Sequence, residues 1–366
     1  MKLTKIETFC IPEVGFTRVT MEDGSQGWGQ VSTYHSDITC QVLHRQVAPW
    51  MLGRDMTDLD DALDFVAERE HKFPGSYLRR AMGGVDTAIW DQRGKAAGKP
   101  VAELIGGSPG EIRVYGSSMK RDITPNDEAD RLKRLADEKG FDAFKMRAGA
   151  EVGRNQDEWP GRTEEIIPLM RKALPEAALL IDANSCYSPK RAIEVGHILQ
   201  DNGFSHYEEP CPYWELEQTK EVTNALAIDV TGGEQDCDLA TWKRMIDMRA
   251  VDIVQPDIMY LGGLSRTLRV CKMAEAAGIP VTPHCANLSA VTLFTMHLLR
   301  AIPNAGKYLE FAIEGPDYYP WQVDLFVEDP YEITNGEATV TDASGWGFDV
   351  NPDWLARATY LVSEVT

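Results

Sequence analysis

The sequence lacks the features that would place it in a membrane or on nucleic acid. No run of 18 apolar residues occurs, and the opening segment, MKLTKIETFCIPEVG, has no apolar signal-peptide core. Positive charge is scarce: 37 Lys and Arg face 57 Asp and Glu, so the net charge is −20, and no basic cluster is available for a phosphate backbone. We therefore expect no nucleic-acid partner and no membrane partner.

Cysteine is also sparse and irregularly placed. The seven cysteines are scattered and never form a C-x-x-C pair, which argues against a disulfide framework and against a zinc knuckle. They predict reduced thiols and a cytoplasmic protein. With 366 residues, 43% of them hydrophobic, the chain can bury the core of one large unit or of two smaller ones.

Two patterns divide the first third of the chain. Residues 1–33 alternate apolar and polar side chains around an Asp23-Gly24 turn, which predicts a small antiparallel sheet. From about residue 55 to residue 104 the apolar residues recur at helical spacing. Together they predict an α+β capping domain over residues 1–112.

Eight short β-rich runs follow, separated by amphipathic helices: RVYGSSMK, DAFKMRAG, ALLIDANS, SHYEEP, IDVTGGE, VDIVQPDI, IPVTPHCA and KYLEFAI. Alternating strands and helices predict a parallel (β/α)-barrel, which we place at residues 113–325. A further turn signal at Asn335-Gly336 predicts that the tail, residues 326–366, returns to the N-terminal sheet.

Polar residues recur once per unit of this predicted barrel. From the third run onward they are spaced by 26, 26, 23, 27 and 26 residues: Asp182, Glu208, Glu234, Asp257, His284 and Glu310. A barrel carries its working residues on the C-terminal ends of its strands, so this period predicts an active-site ring. The longer gap before Asp182 contains AEVGRNQDEWPGRT, a polar, turn-rich segment that we interpret as a loop over the barrel mouth.

Three carboxylates of this ring, Asp182, Glu208 and Glu234, are candidate metal ligands. Converging carboxylates repel one another unless a cation lies between them, and hard oxygen ligands suit Mg²⁺. The alternative is that each is an ordinary strand-end acid, exposed or paired locally. Their common period favours the metal site.

Asp257 and His284 come from neighbouring strands and form a candidate base. A carboxylate can accept one imidazole N–H and leave the other nitrogen free to take a proton. His206 and His297 are better explained as structural histidines, since one precedes a strand end and the other lies within a helical run.

The remaining candidates carry charge into the barrel. Lys145 and Arg147 flank Met146, so both side chains should point inward and meet an anionic substrate; the alternative is a salt-bridge layer. Glu310 could be a protonated acid beside a developing oxyanion, or a partner for one of these cations.

The segments FKMRAG, LIDANS, YEEP, GGE, VQPD, TPH and YLE, in this order and spacing, resemble the barrel of the enolase superfamily, mandelate racemase subgroup. The resemblance covers nearly the whole chain, including MGGVDTAIWDQRGKAAGKPVAELIGG in the cap. It implies an α/β fold: a (β/α)7β TIM-like barrel with an α+β N-terminal capping domain completed by the C-terminal tail.

The resemblance also implies roles for the ring. By it, Asp182, Glu208 and Glu234 match the Mg²⁺ ligands, Asp257 and His284 the base, and Glu310 the acid that hydrogen-bonds the intermediate. Family members remove the proton α to a carboxylate, and the metal stabilises the resulting enediolate. It further implies a homo-oligomer acting on a small carboxylate.

One departure from the family shapes the predicted reaction. The common K-x-K becomes Lys145-Met146-Arg147, and a guanidinium with a pKa above about 12 is a poor proton acceptor. We therefore expect dehydration of a sugar acid, an aldonate or an aldarate, from one face. An epimerase or cycloisomerase of the same subgroup is the alternative enzyme, and a metal-binding structural protein that lost catalysis is the alternative outside enzymes.

Substrate contacts are harder to predict, because they depend on loops. Asn184 in LIDANS is one candidate, and Tyr34 and His35 in the cap segment STYHSD are two more. An exposed polar loop is the alternative for the cap pair. The cap's first loop, VGFTR, is shorter than family members usually have there.

Overall fold

Both ends of the chain build one antiparallel sheet in the computed structural model, which describes residues 1–365. Its strands are Leu3–Cys10 (β1), Gly15–Met21 (β2), Gln26–Val31 (β3) and Thr359–Glu364 (β12), in the order β12-β1-β2-β3. Gly24 adopts a φ of 84° in the turn between β2 and β3, a conformation that glycine takes without strain. The predicted N-terminal sheet is present, and a C-terminal strand completes it.

Five helices follow the first three strands: Ser36–Val42 (α1), Ala48–Met51 (α2), Leu59–Arg69 (α3), Ser76–Ala97 (α4) and Val101–Leu104 (α5). Of these, α1 and α4 pack on the sheet. A π-helical turn over Leu43–Val47 joins α1 to α2. Helix α4 lies against β3, where a Cβ atom on Gly27 would collide with the backbone of Ala88. The two glycines of Q-G-W-G-Q thus let helix and strand approach closely.

The second domain is a ring of parallel strands wrapped by helices. Its strands are Gly110–Ser117 (β4), Ala143–Arg147 (β5), Ala178–Asp182 (β6), His206–Glu208 (β7), Asp229–Gly232 (β8), Ile253–Val254 (β9) and Leu309–Ala312 (β10). Neighbours pair in parallel from β4 to β9, and β10 pairs in parallel with β4. This is the predicted α/β barrel under an α+β cap.

The helices around the barrel connect successive strands. They are Pro125–Lys139 (α6), Arg162–Ala173 (α7), Pro189–Asp201 (α8), Leu216–Ala225 (α9), Leu239–Asp247 (α10), Ile258–Leu261 (α11), Leu264–Ala276 (α12) and Ala290–Leu299 (α13). A further helix, Pro352–Arg357 (α14), lies in the C-terminal tail and precedes β12. None of the helices within residues 1–365 has the length and apolar character needed to cross a bilayer.

The run IPVTPHCA differs from the prediction, because it forms no continuous strand. Val281 makes single parallel bridges to Val254 on one side and to Ala305 on the other. Pro280 and Pro283 flank it, and a proline has no N–H to donate to a sheet ladder. The ring is therefore closed at this point by isolated bridges.

The turn at Asn335-Gly336 is also placed differently from the prediction. The strand that follows it, Glu337–Val340 (β11), pairs antiparallel with the first half of β4 and not with the cap sheet. That half of β4 has a free edge, since β10 and β5 pair only with its second half. Only β12 carries the tail back to the N-terminal sheet.

Candidate active site

Lys145 extends into the barrel interior from the middle of β5. Its Nζ lies 2.8 Å from Glu208 Oε2 on β7 and 2.8 Å from Glu310 Oε1 on β10. Burial lowers the pKa of Lys145, but the two carboxylates raise it by more than burial lowers it. The net shift of the pKa is upward. The ammonium group is charged and ties three strands together.

Arg147, two residues further along β5, faces the same interior, as the alternation predicts. Its Nη1 forms an ion pair with Asp182 at the end of β6, and its Nε–H donates to Ser118 O at 3.0 Å. Burial opposes the charge, yet the surrounding carboxylates, Asp182 foremost, raise the pKa of Arg147. The guanidinium is therefore held in its protonated form.

The three predicted metal ligands lie on adjacent strand ends. Asp182 and Glu208 are partners in the β6–β7 register, and Glu234 follows β8 by two residues. All three side chains are buried. Across residues 1–365, no three His, Cys, Asp or Glu side chains stand close enough together to enclose a metal ion; instead, Arg147 and Lys145 each hold one oxygen of Asp182 and Glu208.

Their electrostatics nevertheless fit a cation. Glu208 Oε1 is buried without any hydrogen-bond partner, and Asp182 has a pKa raised by burial. Burial raises the pKa of Glu234 to about 7, with Glu208 and Asp182 adding to the shift although His284 opposes it. A divalent cation would relieve this carboxylate repulsion, and carboxylate oxygens are the ligands that Mg²⁺ prefers.

His284 and Asp257 form the predicted dyad. Nδ1 of the imidazole lies 2.8 Å from Asp257 Oδ2, and Asp257 Oδ1 accepts the backbone N–H groups of Met259 and Tyr260 at 2.7 and 2.9 Å. The carboxylate caps α11, and this fixes the orientation of the ring. Nε2 lies on the side of the ring carboxylates, 3.5 Å from Glu234 Oε2.

The charge around His284 is strongly negative. Burial lowers the pKa of the imidazole, but Glu234, Asp257 and Glu310 together raise it to about 10. A cation beside Glu234 would offset this negative charge and bring the pKa of His284 down, toward the range in which an imidazole accepts protons.

Glu310 is held as an ion-pair partner. Besides Lys145, its oxygens accept hydrogen bonds from Ser117 Oγ at 2.8 Å and from Cys285 N at 2.9 Å. Burial raises its pKa, but Lys145 and then His284 lower it to about 2. Of the two readings left open by the sequence, this geometry favours the partner of a cation.

Of the two histidines predicted to be structural, His206 contacts a ring carboxylate, with its Nε2 3.5 Å from Glu208 Oε2, whereas His297 does not. His206 Nε2 is 2.8 Å from Thr231 Oγ1 within the barrel wall. His297 Nδ1 accepts the N–H of Ala102 at 3.0 Å, and burial lowers its pKa to about 4.

Asn184 lies at the mouth but is engaged with the protein. Its Nδ2 donates to Asp182 Oδ2 at 3.0 Å, and its Oδ1 accepts from Arg147 Nη1 at 2.9 Å and from Arg121 Nη2. The polar segment after β5 packs here, where Val152 N donates to Asn184 O at 2.9 Å. The predicted loop therefore lies at the C-terminal end of the barrel.

The cap segment reaches the same end. Tyr34 is 45% exposed, and its ring centroid lies 6.1 Å from that of Trp321, in the loop that follows β10. His35 is exposed beside it, and its side chain makes no hydrogen bond within residues 1–365. Both have a positive φ, 61° and 52°. Tyr34 thus lies at the barrel mouth, whereas the His35 side chain forms no hydrogen bond or ion pair with the predicted ring in the described part of the chain.

Sequence reasoning missed Arg121, which follows β4 at the same edge. Its position four residues beyond Ser117, the end of the first barrel strand, was the available signal. It also missed Tyr260, whose ring centroid lies 5.8 Å from that of His284 and which is covered by the Arg80 guanidinium at 3.4 Å. Neither Tyr260 nor Arg80 belongs to the series of polar residues that recurs once per βα unit.

Comparison with known proteins gives two family matches. Residues 5–106 match the N-terminal domain of mandelate racemase / muconate lactonizing enzyme, and residues 127–354 match the enolase C-terminal domain-like family. The arabinonate dehydratase of Saccharolobus solfataricus is 27% identical over 92% of this chain and 88% of its own length.

Two solved structures are similar over almost their whole length. One is a provisionally named racemase from Roseobacter denitrificans, 77% identical with a TM-score of 0.99, covering 100% of both chains. The other is a mandelate racemase/muconate lactonizing protein from Paracoccus denitrificans in complex with magnesium, 29% identical with a TM-score of 0.89, covering 98% of both chains.

Proposed function

Since the chain belongs to the mandelate racemase / muconate lactonizing enzyme family of the enolase superfamily, we propose that it is a Mg²⁺-dependent acid-sugar dehydratase. In this proposal it removes the proton α to the carboxylate of an aldonate or aldarate and eliminates the β-hydroxyl as water. The product is a 2-keto-3-deoxy acid. The similarity to an arabinonate dehydratase supports the sugar-acid class.

The observation that carries the proposal is the asymmetry of bases. His284 has an oriented ring and an Nε2 that lies 3.5 Å from Glu234 Oε2. The position of a possible second base holds Arg147, whose charge is reinforced by its ion pair with Asp182. One base on one face suits abstraction followed by elimination, because reprotonation from the opposite face needs a second proton carrier.

The roles of the ring follow from their chemistry. Asp182, Glu208 and Glu234 would hold Mg²⁺, which when bound supplies Lewis-acid stabilisation of the charge that develops on the substrate carboxylate. His284 takes the α-proton and, once protonated, can donate to the departing hydroxyl. Lys145, buried between Glu208 and Glu310, positions these two carboxylates, and Arg147 polarises the carboxylate end of the substrate.

The test is a screen of acid sugars with the Mg²⁺-loaded protein, in which 2-keto products are followed by semicarbazide absorbance. We expect absorbance to rise with at least one aldonate or aldarate and to vanish with a chelator. Failure of the whole series to yield a 2-keto product would overturn the dehydratase assignment.

Epimerisation is the second candidate, favoured by the racemase name of the 77% identical Roseobacter denitrificans protein. Incubation with substrate in D₂O, followed by NMR, separates the two. An epimerase would accumulate a C2 epimer carrying deuterium at C2, whereas a dehydratase would form the 2-keto-3-deoxy acid.

A further inference from the structure

Arg121 is fixed in place at the barrel mouth. Its Nε–H donates to Gly149 O at 3.1 Å and its Nη2 donates to Asn184 Oδ1, so two of its three nitrogens are anchored. The side chain is half-buried, and Nη1 has no partner within residues 1–365. A guanidinium held this way has a single nitrogen, Nη1, left to bind a ligand.

No carboxylate of residues 1–365 forms an ion pair with Arg121, although the neighbouring Lys120 pairs with Asp317 at 3.3 Å. The absence is not for want of acids, because the chain carries 57 of them and a net charge of −20. Asp182 and Glu151 act on the charge only from beyond ion-pair distance. A partly desolvated guanidinium without a direct carboxylate partner is unfavourable, so it needs an explanation.

The surroundings of Arg121 add positive charge. Arg147 donates to the same Asn184 Oδ1 at 2.9 Å. Arg162 is fully buried, donates Nη1 to Arg147 O at 2.8 Å, and leaves Nε and Nη2 without partners. Three guanidinium groups thus gather beside the loops after β4 and β5, and only that of Arg147 has a carboxylate partner there.

The cluster lies at a definite distance from the reacting end. One amide side chain, Asn184, separates Arg121 from Asp182, since it accepts from the first and donates to the second. An amide group with a hydrogen bond of about 2.9 Å at each end spans roughly the length of a five- or six-carbon chain. A substrate whose C1 carboxylate lies at Asp182 would therefore end near Arg121.

We propose that Arg121 is the centre of a subsite for a second carboxylate, so that the preferred substrate is a dicarboxylic sugar acid and not the matching aldonate. The inference rests on the proposed function for the placement of the reacting carboxylate at the metal end. Arg121 acts on specificity by donating from Nη1 to the distal carboxylate, and Arg147 and Arg162 contribute to the positive potential.

The decisive experiment measures binding without reaction. 2-Hydroxyadipate and 2-hydroxyhexanoate share the C1 carboxylate and C2 hydroxyl, differ in the distal carboxylate, and have no 3-hydroxyl to eliminate. Titration calorimetry on the Mg²⁺-loaded protein should show the diacid binding about 10-fold or more tightly, the effect of one charge-assisted hydrogen bond. Arg121→Met should reduce that ratio to about one, and Arg121→Lys should retain part of it.

The matched control is Arg134→Met, which removes the same charge from an exposed position on α6 and should leave the ratio unchanged. Arg121→Lys keeps the charge and serves as the test variant should Arg121→Met unfold. Equal affinity of the wild type for the two acids, no binding of either, or a ratio that persists in the Arg121 variants would overturn the proposal.

Turnover separates this inference from the proposed function. Aldarates and aldonates of matching configuration are compared by kcat/KM. If the binding ratio behaves as expected but no 2-keto product forms, the dehydratase assignment fails and the carboxylate subsite stands. If aldonates are dehydrated as efficiently as aldarates and the binding ratio is absent, the dehydratase assignment stands and the subsite fails.

Discussion

Two clusters of buried charge in this protein differ in how completely they are paired. On the outer face of the cap sheet, Glu7 accepts two hydrogen bonds from Arg18 at 2.8 Å, one from Tyr360 Oη at 2.8 Å, and an ion pair from Lys5 at 3.0 Å. Every oxygen of that carboxylate has a partner. At the barrel mouth, Glu208 Oε1 has none, and Arg121 has no carboxylate.

The completeness of pairing distinguishes charged residues that stabilise the fold from charged residues that bind ligands. A fully paired cluster stabilises the fold and requires nothing from outside. A cluster that leaves a buried oxygen and a guanidinium unpaired is complete only with ligands of the opposite charge. Substitutions in one cluster, with the other cluster as the control, test this division.

The largest effect is expected from the mouth histidine. His284→Asn should lower kcat by about 10³-fold, because general acid–base catalysis typically contributes 10²- to 10⁴-fold, and should leave thermal stability nearly unchanged. Exchange of the substrate α-hydrogen in D₂O is the measurement. Undiminished exchange would transfer the role to another residue.

The matched histidine is His44 in the cap, which lies between Thr8 Oγ1 at 2.9 Å and Ser363 Oγ at 2.8 Å. His44→Asn should lower stability by about 1–2 kcal/mol through lost hydrogen bonds while leaving kcat unchanged. Burial lowers the pKa of His44 to about 4 from 6.5. Its contribution to stability is therefore present above pH 6.5 and is lost as the pH falls toward 4.

The next largest effect is expected on Mg²⁺ binding, when the candidate ligand carboxylates are replaced. Asp182→Asn, Glu208→Gln and Glu234→Gln should each weaken Mg²⁺ binding by about 10-fold or more, since even outer residues of metal sites change affinity by that factor. Titration calorimetry measures it, and Glu7→Gln serves as the control with unchanged affinity. Unaltered Mg²⁺ affinity in all three variants would remove the metal assignment.

A smaller change is expected at Arg147. Arg147→Lys should retain dehydratase activity within about 10-fold, because the positive charge is kept. Lysine has a reference pKa near 10.4 and is easier to tune than arginine, so the variant should also show slow α-hydrogen exchange from the opposite face. NMR in D₂O on both C2 epimers detects it. Complete loss of activity in this variant would instead indicate that the guanidinium geometry itself is required.

The smallest effect on activity is expected from Glu7→Gln, which should lower stability by about 1–2 kcal/mol and leave kcat/KM unchanged. Burial raises the pKa of Glu7, but the hydrogen bonds from Arg18, Lys5 and Tyr360 lower it to about 2 from 4.5. This stabilisation is present above pH 4.5 and is lost as the pH falls toward 2. Urea unfolding at pH 7, 4.5 and 3 should show the difference from wild type shrinking; a constant difference would contradict the assignment.

The sequence predicts which residues form the active-site ring but not which of them form ion pairs or hydrogen bonds with one another. The spacing from Asp182 to Glu310 assigned one polar residue to each βα unit, because consecutive units repeat their length, but Glu310 is the second of the four residues of β10 and not its last. The sequence prediction misplaced the Asn335-Gly336 turn, since the free edge of β4 that accepts β11 exists only once the barrel has closed. The run IPVTPHCA predicts a strand, but Val281 forms only isolated bridges because the flanking prolines cannot donate to a sheet ladder.

What the sequence by itself determined is local and periodic. Alternation puts Lys145 and Arg147 on one face of β5, and the parallel crossover pattern brings the polar strand ends to one edge, because chain geometry alone imposes both. Which charges meet was decided by the tertiary structure. Lys145 reaches Glu310 across the closed ring, and Arg121 shares Asn184 with Arg147 while lacking a carboxylate. Such pairings depend on strand order, closure and burial, which no periodicity along the chain encodes.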